Sequence, residues 1–142
     1  MSKQARAKMY EDFLRNEGFA PSIDDDGDVV FKCEGRTYII WIDEDDEDFF
    51  RLVFPSFWPI ESEEERLHVL IASQHATSKA KVAKIYMVGD DTWGSIEMFC
   101  SPPEAFKPVF RRCIPAIQAA VGAFREKMQE LSSEGSAPPD SI

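Results

Sequence analysis

The chain has 142 residues, of which 44% are hydrophobic, and it can therefore form one hydrophobic core without metal ions or disulfide bonds. Its 26 acidic and 16 basic side chains give a formal net charge of −10, and a field of that sign repels nucleic-acid backbones and anionic membrane surfaces. The charge excludes nucleic acid and membranes as expected partners, and it leaves a basic protein segment as a compatible one.

The cysteines and the first residues of the chain indicate the cellular compartment in which the protein works. Cys33, Cys100 and Cys113 form neither a Cys-X-X-Cys pair nor an even set, and each lies among apolar neighbours. The first residues form a charged amphipathic segment, and no stretch approaches the roughly 18 apolar residues of a membrane span. We therefore expect a cytoplasmic protein with reduced thiols.

The first part of the chain predicts one helix and four strands. Apolar residues at three- and four-residue spacing predict a helix over residues 3–17, and Gly18 follows where a left-handed residue ends a helix. Short apolar runs between acidic or glycine-containing turns then predict an antiparallel meander. Its strands are residues 19–23, 29–33, 37–42 and 49–54. The third strand is apolar on both faces, which is typical of a central strand.

A second helix follows a proline-bounded apolar corner at residues 55–60. Ser62 and Glu65 match a capping box, which predicts that the helix starts there and ends near Ser78. Its apolar face carries Leu67, Leu70 and Ile71.

The last part of the chain predicts a hairpin and a long helix. Residues 81–88 and 92–100 form the hairpin, and the helix opens at residues 101–104 and continues to Leu131. Pro108 and Pro115 lie inside that helix and predict a late start, a kink or both. Residues 132–142 lack periodicity and predict a flexible C-terminal tail.

In chain order, these elements predict an α+β fold with helices packed against an antiparallel sheet of about five to six strands. The element order is α-β-β-β-β-α-β-β-α. One domain spans residues 1–131.

Two acidic runs suggest calcium-binding loops but fail the pattern. An EF-hand loop needs Gly at its sixth position and Glu at its twelfth, whereas counting from Asp24 places Val29 and Gly35 there. The run that begins at Asp43 fails at the same two positions. We therefore interpret both runs as solvated turns.

Other chemical motifs also fail. On a helix, His68 and His75 would lie on one face but about 10 Å apart, which is too far for one metal ion. None of the cysteines lies at an evident helix start or beside a basic cluster that would lower its pKa. Glycine-rich phosphate-binding loops do not occur. The sequence therefore predicts no catalytic residues, no metal ligands and no cofactor.

Apolar side chains exceed what a simple core needs, and they predict a contact surface for a partner or for a second copy of the chain. The candidate contact residues are Phe57, Trp58, Trp93, Phe106 and Phe110. Packing on the sheet is the alternative; it is favoured for Phe57 and most of the long helix, and it stays open for Trp58.

Several segments together resemble the YbjN-like family, whose fold resembles that of type III secretion chaperones. They are Glu17-Gly18-Phe19, Asp26-Gly27-Asp28-Val29-Val30-Phe31, Phe49-Phe50-Arg51-Leu52, Lys81-Val82-Ala83-Lys84-Ile85-Tyr86 and Ile96-Glu97-Met98-Phe99. The resemblance covers residues 3–131. It implies an antiparallel sheet with helices packed on it, a small acidic cytoplasmic protein, often a homodimer, and no active site to carry over.

We therefore expect a non-enzymatic, chaperone-like domain that binds a polypeptide segment of a partner protein, a segment that is basic if charge guides the choice. An acidic immunity-type inhibitor of a basic toxin is the alternative function, because charge complementarity suits that role as well. A regulatory domain of unassigned activity also remains open.

Overall fold

The computed structural model describes residues 1–135, and it has the α+β architecture and the element order that the sequence predicts. The α-helices are α1 (Lys3–Asn16), α2 (Glu63–Lys79) and α3 (Phe110–Gly135), with a 3-10 helix at Pro103–Val109. The strands are β1 (Ser22–Ile23), β2 (Val29–Cys33), β3 (Arg36–Ile40), β4 (Phe49–Phe54), β5 (Ala83–Val88) and β6 (Asp91–Phe99).

The six strands form one antiparallel sheet in the order β1-β2-β3-β4-β6-β5. The predicted meander is confirmed as the run β1 to β4. The predicted hairpin joins it through its second strand, because β6 pairs with β4 from Phe49↔Phe99 to Phe54↔Gly94. This arrangement leaves β5 as one outer strand and the two-residue β1 as the other.

Strand β1 is shorter than the sequence predicts. Only Ser22 and Ile23 pair with β2, because Pro21 before them has no amide hydrogen to donate to a ladder. Phe19, at the start of the predicted strand, packs instead against Phe31 with ring centroids 5.2 Å apart.

Local contacts fix both ends of α1 and the start of α2. The Ser2 hydroxyl accepts a hydrogen bond from the Ala5 amide at 3.0 Å, and Gly18 ends α1 with a φ of +95°. The predicted capping residue of α2 is confirmed, since the Ser62 hydroxyl accepts from the Glu65 amide at 3.1 Å. Because these contacts join residues only three apart, both helix starts can be predicted from the sequence.

The packing face of α2 differs from the prediction. Leu67, Leu70 and Ile71 are exposed, and the buried positions are the smaller residues Val69, Ala72, Ser73 and Ala76. Small side chains let α2 lie close to α3. The sequence pattern did not identify this face, because it does not show which element a helix packs against.

Proline delays the start of the long helix, as expected. Residues around Pro108 form the 3-10 helix, and α3 begins only at Phe110. The predicted tail at residues 132–142 is wrong at its beginning, because α3 continues to Gly135 and no glycine or proline lies between Leu131 and that residue. Residues 136–142 of that predicted tail lie outside the described residues.

The core lies between one face of the sheet and the helices. Tyr10 of α1 packs on Phe50 at 6.0 Å, and Phe110 of α3 packs on Phe31 at 6.0 Å. The buried cluster also includes residues of α2, so all three helices contribute to this side. Consequently, helices line the sheet on one face.

Candidate functional site

The sheet face opposite the core carries apolar side chains that no helix among residues 1–135 covers. Along β4, Phe50, Leu52 and Phe54 belong to the buried core cluster, so the alternate residues point to the other face. The strand register extends that face across the sheet through Ile39↔Val53 and Tyr86↔Trp93. We call this surface the open face.

Aromatic rings gather on the open face around one arginine. Trp41 and Trp93 have ring centroids 5.9 Å apart, and Phe49 and Phe99 have centroids 6.1 Å apart. The Arg51 guanidinium lies between the two pairs, 4.2 Å from the Trp41 centroid and 5.3 Å from that of Phe49. We call these five residues the aromatic cluster. Cation–π contacts of this kind hold the guanidinium flat against the rings.

The aromatic cluster is accessible to a partner. Trp41 is 41% exposed and Phe99 is 78% exposed, whereas Val53, further along β4 on the same face, is fully buried. Two large exposed rings beside a packed apolar base form the kind of patch that marks an interaction surface.

Arg51 has no acceptor for its donors within residues 1–135. Its Nε is buried without a hydrogen-bond partner. Glu97, directly opposite on β6, is instead 2.8 Å from the Lys84 ammonium group. Of the five N–H donors of an arginine, the Nε–H of Arg51 is enclosed, and the four on the two terminal nitrogens are the ones that a bound molecule can use.

An acidic loop borders the aromatic cluster. Residues 43–48 lie between Trp41, which directly follows β3, and Phe49 at the start of β4, and all six carry carboxylates. Glu44, Asp45 and Glu47 are exposed to solvent. The open face is thus apolar at its centre and negative at this edge.

Arg6 holds this loop in place. Its side chain is 1% exposed, and its guanidinium donates to the Asp43 carbonyl at 2.6 Å and the Asp46 carbonyl at 3.3 Å. The Asp43 carboxylate accepts from the amides of Asp45 and Asp46 at 2.9 and 3.1 Å. A buried cation therefore organises the backbone beneath an acidic surface, and one of the exposed carboxylates, that of Glu47, pairs with the amino terminus of Met1.

Two of the predicted contact residues are wrong. Phe106 and Phe110 are 0% exposed and pack against each other, Phe13 and Tyr10 beneath α1. The broad apolar stripe of the last helix that suggested a contact surface is used by the core, because α1 as well as the sheet packs against it.

The other three predicted contact residues divide between the two faces. Phe57 stacks on Phe54 at 5.5 Å and meets Phe124 at 5.4 Å, and Trp58 also packs on Phe124 at 5.5 Å. Both are half-buried against the core side. Trp93 alone lies in the aromatic cluster.

Trp41, Phe49, Arg51 and Phe99 were missed as contact residues. The sequence contains a pattern that points to Trp41, because residues 37–42 are apolar on both faces. That pattern predicts a central strand, and β3 does lie between β2 and β4, but helices cover only one of its faces. The second apolar face of β3 is therefore surface.

The first acidic run converges in space, with Asp24, Asp26 and Asp28 offering oxygens within 4.8 Å of one another. Asp24 accepts from the amides of Asp26 and Asp28 at 2.9 and 3.0 Å, and Asp28 accepts from the Ile42 amide at 2.9 Å. The Lys3 ammonium group lies 3.6 Å from Asp28. The cluster thus works as a turn with its own hydrogen bonds and counter-charge.

The cysteines are placed for packing. Burial raises the pKa of the Cys113 thiol to about 11, with a smaller effect from Cys100, and burial followed by the Asp48 carboxylate raises the pKa of Cys100. Both thiols are therefore protonated near neutral pH, which makes them poor nucleophiles. Cys33 is half-buried, and all three cysteines are unpaired.

Comparisons with known proteins add no relatives: no protein-family model, curated protein or solved structure matches the chain. The resemblance to the YbjN-like family therefore stays a prediction. Across residues 1–135, no helix has both the length and the apolar character needed to cross a membrane.

Proposed function

We propose that this chain is a non-enzymatic protein-binding domain that holds a polypeptide segment of a partner on its open face, in the manner of a chaperone. The observation that supports this proposal best is the exposed aromatic cluster around the unpaired Arg51. Its three unpaired thiols suit a cytoplasmic setting.

Apolar burial supplies the affinity in this proposal. Covering Trp41 and Phe99 removes large aromatic surfaces from water. This burial contributes about 25 cal/mol of favourable free energy for each Å² of apolar surface. Aromatic and arginine side chains are also the residues that most often dominate binding energy at interfaces. The flat sheet surface suits an extended segment better than a small molecule, which needs a concave site.

Charge and hydrogen bonding determine which segment fits. The acidic loop at residues 43–48 favours lysine or arginine at one end of the segment. The guanidinium of Arg51 lies 4.2 Å from the centroid of the Trp41 ring, and its terminal nitrogens donate to a main-chain carbonyl of the segment. The preferred partner is therefore a segment with apolar side chains beside a basic end.

A peptide array tests this proposal. We expect the protein to select peptides that combine aromatic or aliphatic residues with lysine or arginine. Replacing Trp41 and Phe99 together by alanine removes the exposed rings and should weaken binding of a selected peptide by about 2 kcal/mol or more, measured by fluorescence anisotropy. The fold should persist, because neither ring lies in the core beneath the helices.

Leu70→Ala provides the matched control, since Leu70 is an exposed apolar residue on α2 and belongs to neither the aromatic cluster nor the acidic loop. Peptide binding should not change in this variant. Loss of binding with Leu70→Ala but not with the double variant would contradict the proposal. A stable dimer that dissociates when Trp41 and Phe99 are replaced would place a second copy on the open face instead.

A further inference from the structure

A groove of about 830 Å³ runs along the amino-terminal half of α3, separate from the open face. The α3 side of the groove is lined mostly by small side chains, and the opposite side is formed by residues 79–82 between α2 and β5. The small α3 residues are Pro115, Ala116, Ala119, Ala120 and Ala123. Met98 and Cys113 also line the groove, so its walls are largely apolar.

The charged residues around this groove are all basic. Lys79, Lys81, Arg111 and Arg112 line it, and none of the acidic residues in the described part of the chain does. Arg111 pairs with Glu17 at 2.9 Å, whereas the other three cations form no ion pair within residues 1–135. The chain as a whole is negative, with a net charge of −10. The surface around this apolar groove is positive instead, because these three unpaired cations surround it.

The wall opposite α3 presents an apolar side chain on a tight turn. The Ala83 amide donates to the Lys81 carbonyl at 2.7 Å across Val82, whose φ is +55°. Positive φ is unusual for a β-branched residue. Val82 is 71% exposed and lines the groove, where apolar contact would cover it.

We propose that this groove binds a single-chain anionic amphiphile, such as an alkyl carboxylate or an alkyl phosphate monoester. Lys79, Lys81 and Arg112 receive the head group, and the alkyl chain lies between Val82 and the small residues of α3. This ligand is independent of the polypeptide proposed for the open face.

The lengths and charges of the groove favour this ligand. Arg112 lies in the first turn of α3, and the wall of small residues continues to Ala123, about 16 Å further along the helix axis. One end is therefore basic and the remainder apolar, which matches a head group and a chain. The buried thiol of Cys113 adds no negative charge, because burial raises its pKa to about 11.

Titration calorimetry with dodecanoate, below the concentration at which it forms micelles, tests the proposal. We expect one molecule to bind per chain, and neutral dodecyl maltoside to bind at least about tenfold more weakly. Lys81→Glu combined with Arg112→Glu should weaken dodecanoate binding by about tenfold or more. Lys32→Glu, on an exposed lysine of β2 outside the groove, should leave it unchanged.

A second variant tests the apolar wall. Ala119 is exposed at the groove, so Ala119→Trp should fill it without disturbing the core and should abolish binding. Ala5→Trp on the exposed side of α1 is the matched control, and circular dichroism verifies that both variants fold.

Four outcomes would overturn the proposal. Equal affinity for the neutral ligand would remove the role of the cations, and unchanged binding in Ala119→Trp would place the ligand elsewhere. Binding to phosphatidylglycerol vesicles without binding to monomeric dodecanoate would indicate a membrane surface as the partner. A dimer that Ala119→Trp dissociates would mean that a second copy occupies the groove.

Discussion

At the residue scale, Arg6 shows how a buried cation supports an acidic surface. Its aliphatic and guanidinium parts are enclosed, and its donors reach two main-chain carbonyls of residues 43–48. Hydrogen bonds from a charged donor contribute more than neutral ones, and a buried carbonyl that loses its donor is costly. The loop beside the aromatic cluster therefore depends on a residue in α1.

We expect Arg6→Ala to lower the free energy of unfolding by about 2–4 kcal/mol, because two carbonyl contacts and the packing of the side chain are lost together. Urea unfolding followed by circular dichroism measures the change. Arg15→Ala is the control: this arginine is exposed and pairs only with Glu11 at 3.4 Å, so its loss should cost at most about 0.5 kcal/mol. Equal effects of the two substitutions would show that the buried contacts are unimportant.

At the element scale, the contact between α3 and the sheet depends on Gly94. A Cβ placed there would lie 3.1 Å from Ile85 Cδ1 and 3.5 Å from Ile117 Cγ2. Ile117 of α3 is fully buried and thus fills the space above β6 that a side chain would take. The helix that carries the basic groove is positioned partly by this close approach.

Gly94→Val should lower the free energy of unfolding by about 1–3 kcal/mol, because the added methyl groups overpack the contact between Ile85 and Ile117. Thermal and urea unfolding measure the change. In contrast, Gly122→Ala on the exposed side of α3 should raise stability by about 0.5–1 kcal/mol, since its Cβ meets nothing within 4 Å. A stabilising Gly94→Val would mean that α3 adjusts freely over the sheet.

At the scale of the whole molecule, charge is distributed unevenly. The net charge is −10, and two acidic runs at residues 24–28 and 43–48 lie on turns of the first four strands. Three unpaired cations surround the groove along α3, and Arg51 is unpaired on the open face. The excess carboxylates repel one another in the folded chain, and salt screens this repulsion.

Added salt should therefore stabilise this protein. Raising NaCl from about 0.01 M to about 1 M shortens the screening length from roughly 30 Å to 3 Å and should raise the free energy of unfolding by about 1 kcal/mol. Asp25→Lys with Glu44→Lys, both at exposed positions, should raise stability at low salt and reduce this dependence. Destabilisation of the wild type by salt would show that its ion pairs outweigh the repulsion.

Local sequence features account for much of the fold. The cap at Ser62, the left-handed residue at Gly18 and the alternation along β2 and β4 each act within a few residues, and the elements that they predict are present. The candidate site was less predictable. Of the predicted contact residues, Trp93 lies in the aromatic cluster, whereas Phe106 and Phe110 look similar in sequence and are fully buried.

The sequence by itself determined the elements, their order, the antiparallel pairing and the acidic character of the chain, because these depend on near neighbours and on composition. Only the tertiary structure decided that all helices cover one face of the sheet, that Arg6 reaches the acidic loop, and that basic residues of separate segments surround one groove. Those outcomes depend on which apolar surfaces pack against each other. The hydrophobic effect has no direction, so an apolar side chain in the sequence does not specify the residue that it will contact.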